Sequence, residues 1–150
     1  MRIWNTYPGE CLKILEFHKT GVKSVVSYSS KCKEKNVGLL NMIASGDRDG
    51  YVHVWNCDDY QCVSSLRAVK GEILNMVGNE GEEVGDFKLM AVAADGLKVW
   101  DLKDIRSHKC VRNIEEKGLK NAIFVSFNGK EKEKKTIVAV KFDEIKYYYN

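Results

Sequence analysis

Ser45-Gly46-Asp47-Arg48-Asp49-Gly50, with Val54-Trp55-Asn56 close behind it, carries the strongest structural signal in this sequence. Asp-Gly between two short apolar runs is a strong hairpin marker, because the tight turn needs a residue that accepts positive φ. The run after it, Val52-His53-Val54-Trp55, alternates with period 2, as a half-buried strand does. Leu40–Ser45 on one side and Val52–Asn56 on the other therefore read as paired strands.

Working outward, the same elements recur. Ile3-Trp4-Asn5 returns as Val54-Trp55-Asn56 and as Val99-Trp100-Asp101, so the tryptophans stand 51 and 45 residues apart. Asp95-Gly96 repeats Asp49-Gly50. Cys11 and Cys62 each follow a tryptophan by seven residues, Cys110 by ten, and each opens a short apolar run. Self-similarity at this period signals a repeat architecture. No window holds the long i, i+3, i+4, i+7 stripe of a helix.

Four strands per repeat are predicted. First strands are Val22–Ser27, Ile73–Val77 and Ala122–Phe127. Second strands are Leu40–Ser45, Lys88–Ala93 and Ile137–Lys141. Third strands are Val52–Asn56, Leu97–Asp101 and Ile145–Tyr149. Fourth strands are Cys11–Phe17, Cys62–Leu66 and Cys110–Ile114, and Arg2–Asn5 stands for a preceding third strand. The repeats run over about 18–66, 67–114 and 115–150, with leftover strands in 1–17.

Composition bounds the rest. The chain has 150 residues, 44% hydrophobic and 30% charged, which is globular rather than disordered composition. A net charge of +3 gives no electrostatic case for nucleic acid or an anionic membrane. No stretch approaches the roughly 20 apolar residues of a membrane span. Met1-Arg2-Ile3-Trp4-Asn5 turns polar too soon for a signal peptide, so the expected location is cytoplasmic or nuclear and the five cysteines are expected as reduced thiols. An odd count rules out a complete disulfide framework, and no Cys-x-x-Cys pair suggests zinc. Cys11, Cys62 and Cys110 are expected as small buried hydrophobes.

The residues quoted above resemble WD-repeat β-propellers over nearly the whole chain. The best repeat runs from His18 to Asn56. The resemblance implies an all-β partial propeller of four-stranded antiparallel blades, with a structural network of His18, Ser45, Asp49 and Trp55, and Trp55 packed between blades. The family usually has Gly before the His, where Phe17 stands here. In the second repeat Ala91 replaces the Ser and no His opens the unit. In the third, Asp143 fills the turn, Tyr148 replaces the Trp and Glu144 the Gly. Plain apolar packing is expected in both. Propellers close with about four to eight blades. Three and a fraction imply a fragment or truncated product of a larger ring, or assembly in which Cys11–Phe17 of one chain completes the Ala122–Tyr149 blade of another.

No catalytic, metal or cofactor constellation emerges. His18, Asp49 and Ser45 contain the types of a hydrolase triad, but catalysis also needs an oxyanion site and an accessible cleft. His53 and His108 have no His or Cys at metal spacing. Lys31-Cys32-Lys33-Glu34-Lys35, Glu80–Asp86 and Lys130–Lys135 read as solvated tips on one face. On the other face the turns present Lys19, Arg48, Arg67, Lys70, Lys117 and Lys120, the candidate partner-binding residues. The expected function is a non-catalytic protein-interaction scaffold. The alternative is a ubiquitin-ligase substrate receptor, on the loose resemblance of Trp100-Asp101-Leu102-Lys103 to the Trp-Asp-x-Arg element. A propeller hydrolase would need convergent carboxylates, with Asp47, Asp49, Asp95 and Asp143 as the turn acids available.

Overall fold

The computed structural model describes residues 1–31, 39–80, 86–103, 108–128, 133–141 and 144–149. Among them are thirteen strands and no helix. β1 (Arg2–Trp4) and β2 (Cys11–Ile14) form a two-stranded sheet. β3 (Val22–Lys31), β4 (Leu39–Asp47), β5 (Tyr51–Asn56) and β6 (Cys62–Arg67) form a four-stranded antiparallel sheet in chain order. β7 (Asn75–Glu80), β8 (Phe87–Ala93), β9 (Gly96–Asp101) and β10 (Lys109–Glu115) form a second, and β11 (Leu119–Asn128), β12 (Glu133–Lys141) and β13 (Glu144–Tyr149) a three-stranded one. The Asp-Gly hairpins are present at both places. Gly50 has φ +83°, and a Cβ there would run into the Val69 and Gly71 carbonyls, so the tight turn admits only glycine.

Strand alternation builds the core. Ala44, Val52 and Val54 lie on one face of the first sheet and pack with Phe87, Leu89, Ala91 and Trp100 of the second. The other face of the second sheet, through Met90, Val92, Leu97 and Val99, packs with Ala122, Ile137, Ala139 and Tyr148 of the third. Ten of these fifteen side chains are no more than 1% exposed. At about 25 cal/mol per Å² of apolar area removed from water, these two interfaces dominate the favourable side of folding. The first strands lie nearest one another, β3 against β7 and β7 against β11. Ser24, Asn75 and Asn121 hold the same register position there. The Met76 amide donates to Ser24 Oγ at 3.1 Å and Asn75 Nδ2 donates to Asn121 Oδ1, so polar bonds stitch the apolar layers.

The cysteines depart from expectation. Cys11 and Cys110 are exposed and Cys62 half-buried. They sit on β2, β6 and β10, the outer strand of each sheet, where only one side is covered. Each stands opposite a tryptophan, Cys11 to Trp4, Cys62 to Trp55 and Cys110 to Trp100, and each is followed by a bulge. Each thiol lies on the carbonyl two residues on: Lys13 at 3.8 Å, Ser64 at 3.4 Å and Arg112 at 3.3 Å. The bulge frees that carbonyl from the ladder, and the thiol is a weak donor in reach of it. Two strand limits also shift. Residues 15–17 leave the sheet after Ile14, and β7 starts at Asn75 because the Ile73 amide instead bonds the Asp47 carbonyl of the preceding sheet at 3.1 Å.

Candidate functional site

Among the described residues, a polar cluster lies on the face of the first sheet turned away from the second. Ser45 and Asp47 are two residues apart on β4, so both point to the face opposite Ala44. His53 and Trp55 do the same on β5, with Ser45 and His53 direct cross-strand partners. The connection from β2 to β3 brings His18 over them. Its Nδ1 meets Asp47 Oδ2 at 2.8 Å and its Nε2 meets Ser45 Oγ at 2.7 Å. The Trp55 indole N–H donates to the same Ser45 Oγ at 2.8 Å. Asp47 Oδ1 accepts from the Asp49 and Tyr51 amides at 3.0 Å each, which fixes the hairpin turn.

The network therefore brings together His18, Ser45 and Trp55 as expected, but with Asp47 in place of Asp49. The reason is strand parity. Asp47 shares the face of Ser45, whereas Asp49 lies past the end of β4 in the turn, is exposed, and contributes its amide. Burial works to raise the Asp47 carboxyl pKa, but the bonds from His18 and from the Tyr51 and Asp49 amides outweigh it and leave it below the usual value. Trp55 is buried against Phe17, His18 and His53. The tryptophan packed between two sheets is Trp100.

Asp47–His18–Ser45 has the connectivity of a hydrolase triad. Ser45 is nevertheless fully buried, and its oxygen already accepts the Trp55 N–H. A hydroxyl without solvent exposure meets no substrate carbonyl, so this geometry locks strands together rather than attacking.

Register gives the counterparts in the other sheets. Ala91 and Trp100 stand where Ser45 and Trp55 do, and Ala93 where Asp47 does. The Trp100 indole nitrogen is buried without a partner. In the third sheet Ala139, Lys141, Lys146 and Tyr148 match Ser45, Asp47, His53 and Trp55. Here the lock is ionic and of opposite polarity. Glu116 Oε1 accepts from Lys141 Nζ and Lys146 Nζ at 3.0 Å each, and these bonds, Lys146 first, hold the Glu116 carboxyl below its usual pKa. Apolar packing, the expectation for this repeat, is present around Ile137, Ala139 and Tyr148, and the ion pairs add to it. The signal, an acid in the β10–β11 turn and a lysine on each of β12 and β13, becomes visible only once the register is known. Asp143 lies outside the described residues.

The six candidate partner-binding residues lie at the end of the sheets where the turns are mutually bonded, as Arg48 N to Gly21 O and Gly118 N to Ala94 O show. All six are exposed. Arg48 faces Glu72 at 3.6 Å, and Arg67 lies over the Tyr51 ring and donates to the Lys70 carbonyl. Lys70 and Lys117 border a cleft of about 310 Å³ together with Asp95, Glu115 and Glu116. Lys19 borders another, of about 350 Å³, at the His53 end of the network. Lys120 borders neither cleft. In the Trp100-Asp101-Leu102-Lys103 element Leu102 is fully buried and Lys103 pairs with Asp86 at 2.9 Å. His108 bonds Ser64 of β6. The charged tips at 32–38, 81–85 and 129–132 lie outside the described residues.

No family model matches the chain, and no curated protein does. Among solved structures it is similar to the crystal structure of the computationally designed Ika4 protein, at 18% identity and a TM-score of 0.37, over 91% of this chain and 95% of that one.

Proposed function

We propose that the sheets are blades of a partial WD-repeat propeller, and that the chain is a non-catalytic scaffold for protein partners, its first partner a second copy of itself. One observation carries the reading. The Trp100 face of the second sheet packs on the far face of the first, the matching Tyr148 face of the third packs on the far face of the second, and exposed apolar side chains remain at both ends of the chain. Trp4 holds the register position of Trp55 and Trp100, opposite its cysteine, and is 53% exposed. At the other end Ile123, Val140, Ile145 and Tyr147 are 42–58% exposed. Val140, Ile145 and Tyr147 match Gly46, Val52 and Val54, which are buried under the second sheet. Surfaces of this kind mark interaction sites. The two are complementary, so the contact is head-to-tail and heterologous. The basic turn residues Lys19, Arg48, Arg67, Lys70, Lys117 and Lys120 then rim the disc for further partners in the cytoplasm or nucleus.

The test uses the exposed native thiol of Cys11. A Tyr147→Cys variant treated with a short bifunctional thiol reagent should give intermolecular links between positions 147 and 11. Links from 147 to Cys110 alone, or none, would refute the head-to-tail arrangement.

A further inference from the structure

We propose that His18, Asp47 and His53 form a site for one late first-row divalent metal ion, such as Zn²⁺, reached through the pocket that Phe17 and Tyr51 help to line. Each residue offers one ligand atom, and all three atoms lie within 4.8 Å of one another. The independent pointer is His53. It is 6% exposed, its Nδ1 is buried with no hydrogen-bond partner, and its ring lies 4.3 Å from that of His18. An orphaned nitrogen beside a second imidazole and a carboxylate is costly unless something fills it. The pocket of about 350 Å³ bordered by Phe17, Asp47, Tyr51 and His53 gives a route in. Two imidazoles and one carboxylate suit zinc or its neighbours rather than calcium or magnesium, and three protein ligands leave a position for water.

The existing hydrogen bonds accommodate the ion. Asp47 Oδ1 stays held by the Asp49 and Tyr51 amides, which leaves Oδ2 to turn to the metal. His18 gives up the Nδ1 proton and carries one on Nε2 instead, donating to Ser45 Oγ. The Ser45 O–H then turns to the His53 carbonyl, 3.4 Å away. The proton moves within neutral imidazole, so charge and hydrogen count balance. Ser45 becomes the partner that orients a ligating histidine. Bonds of about 2.0–2.2 Å place tetrahedral ligands about 3.3–3.5 Å apart, so closure needs side-chain shifts of about 1 Å.

The test is titration of the chelator-treated full chain with Zn²⁺ alone, followed by calorimetry, and with Co²⁺, followed by its visible spectrum. One ion per chain should bind, with no thiolate charge-transfer band. His53→Gln should weaken binding at least tenfold while circular dichroism is unchanged, and Asp49→Asn should bind as wild type. In the wild-type chain Zn²⁺ should protect His53 from acylation, a readout that survives if the variant misfolds. Absence of saturable binding, a thiolate band, or wild-type affinity and no His53 protection would each overturn the proposal.

Discussion

The indole nitrogen of Trp100 is buried with no hydrogen-bond partner, and Ala91 stands at the register position from which Ser45 serves Trp55. A net hydrogen bond is worth about 1 kcal/mol, whereas leaving a buried donor unmet costs about 1–3 kcal/mol. Ala91→Ser should therefore stabilise the chain by about 1 kcal/mol in urea titration. Ser45→Ala should destabilise it by about 1–3 kcal/mol, since Trp55 loses its acceptor and His18 loses one of its two partners, keeping Asp47.

Asp47 and Asp49 separate cleanly. Asp47→Ala removes the acceptor of His18 and of two turn amides and should cost about 2–3 kcal/mol. Asp49→Ala touches an exposed side chain and should stay within about 0.5 kcal/mol. Denaturant midpoints of the two variants at equal slope provide the check.

The contrast also shows where the sequence is legible. Period-2 alternation and the Asp-Gly pairs place all thirteen strands in order, because each is a local pattern. The acid of the network follows from the same parity, two residues from Ser45, but the turn residue beside Gly50 is the more conspicuous one. Cysteine exposure is not legible in the sequence, because apolar neighbours do not tell an outer strand from an inner one. The His18–His53 and Glu116–Lys141–Lys146 clusters depend on register across 25 residues or more, which no local pattern carries.

The ionic lock of the third sheet should answer to salt. Its groups are partly exposed, so added salt screens them. Glu116→Gln should lower the thermal midpoint in dilute buffer and converge on wild type at about 1 M NaCl. The Asp47→Ala deficit should persist there, because that network is buried.

The acid side of the stability curve has two sources, measured with chelator present. The Asp47 carboxyl has a lowered folded pKa, so its contribution is full above the unfolded value of 3.8 and is lost as pH falls through the folded value. The His53 pKa is lowered by burial and then by His18, partly offset by Asp47. A base so shifted leaves the unfolded chain with more protons, so stability declines as pH drops below 6.5 and levels off below the folded value. His53→Gln should flatten the decline just below pH 6.5, and Asp47→Asn the decline near and below pH 4, in midpoints recorded from pH 3 to 8.

The open apolar faces give the most direct measurement, sedimentation velocity of the full chain at low micromolar concentration. The wild type should sediment as a dimer or larger species, because Ile145, Tyr147 and Trp4 have no cover within one chain. Ile145→Lys combined with Tyr147→Lys should shift the distribution to monomer by charging that face. A sharp wild-type monomer peak across the concentration range, with one cooperative unfolding transition, would contradict the scaffold account.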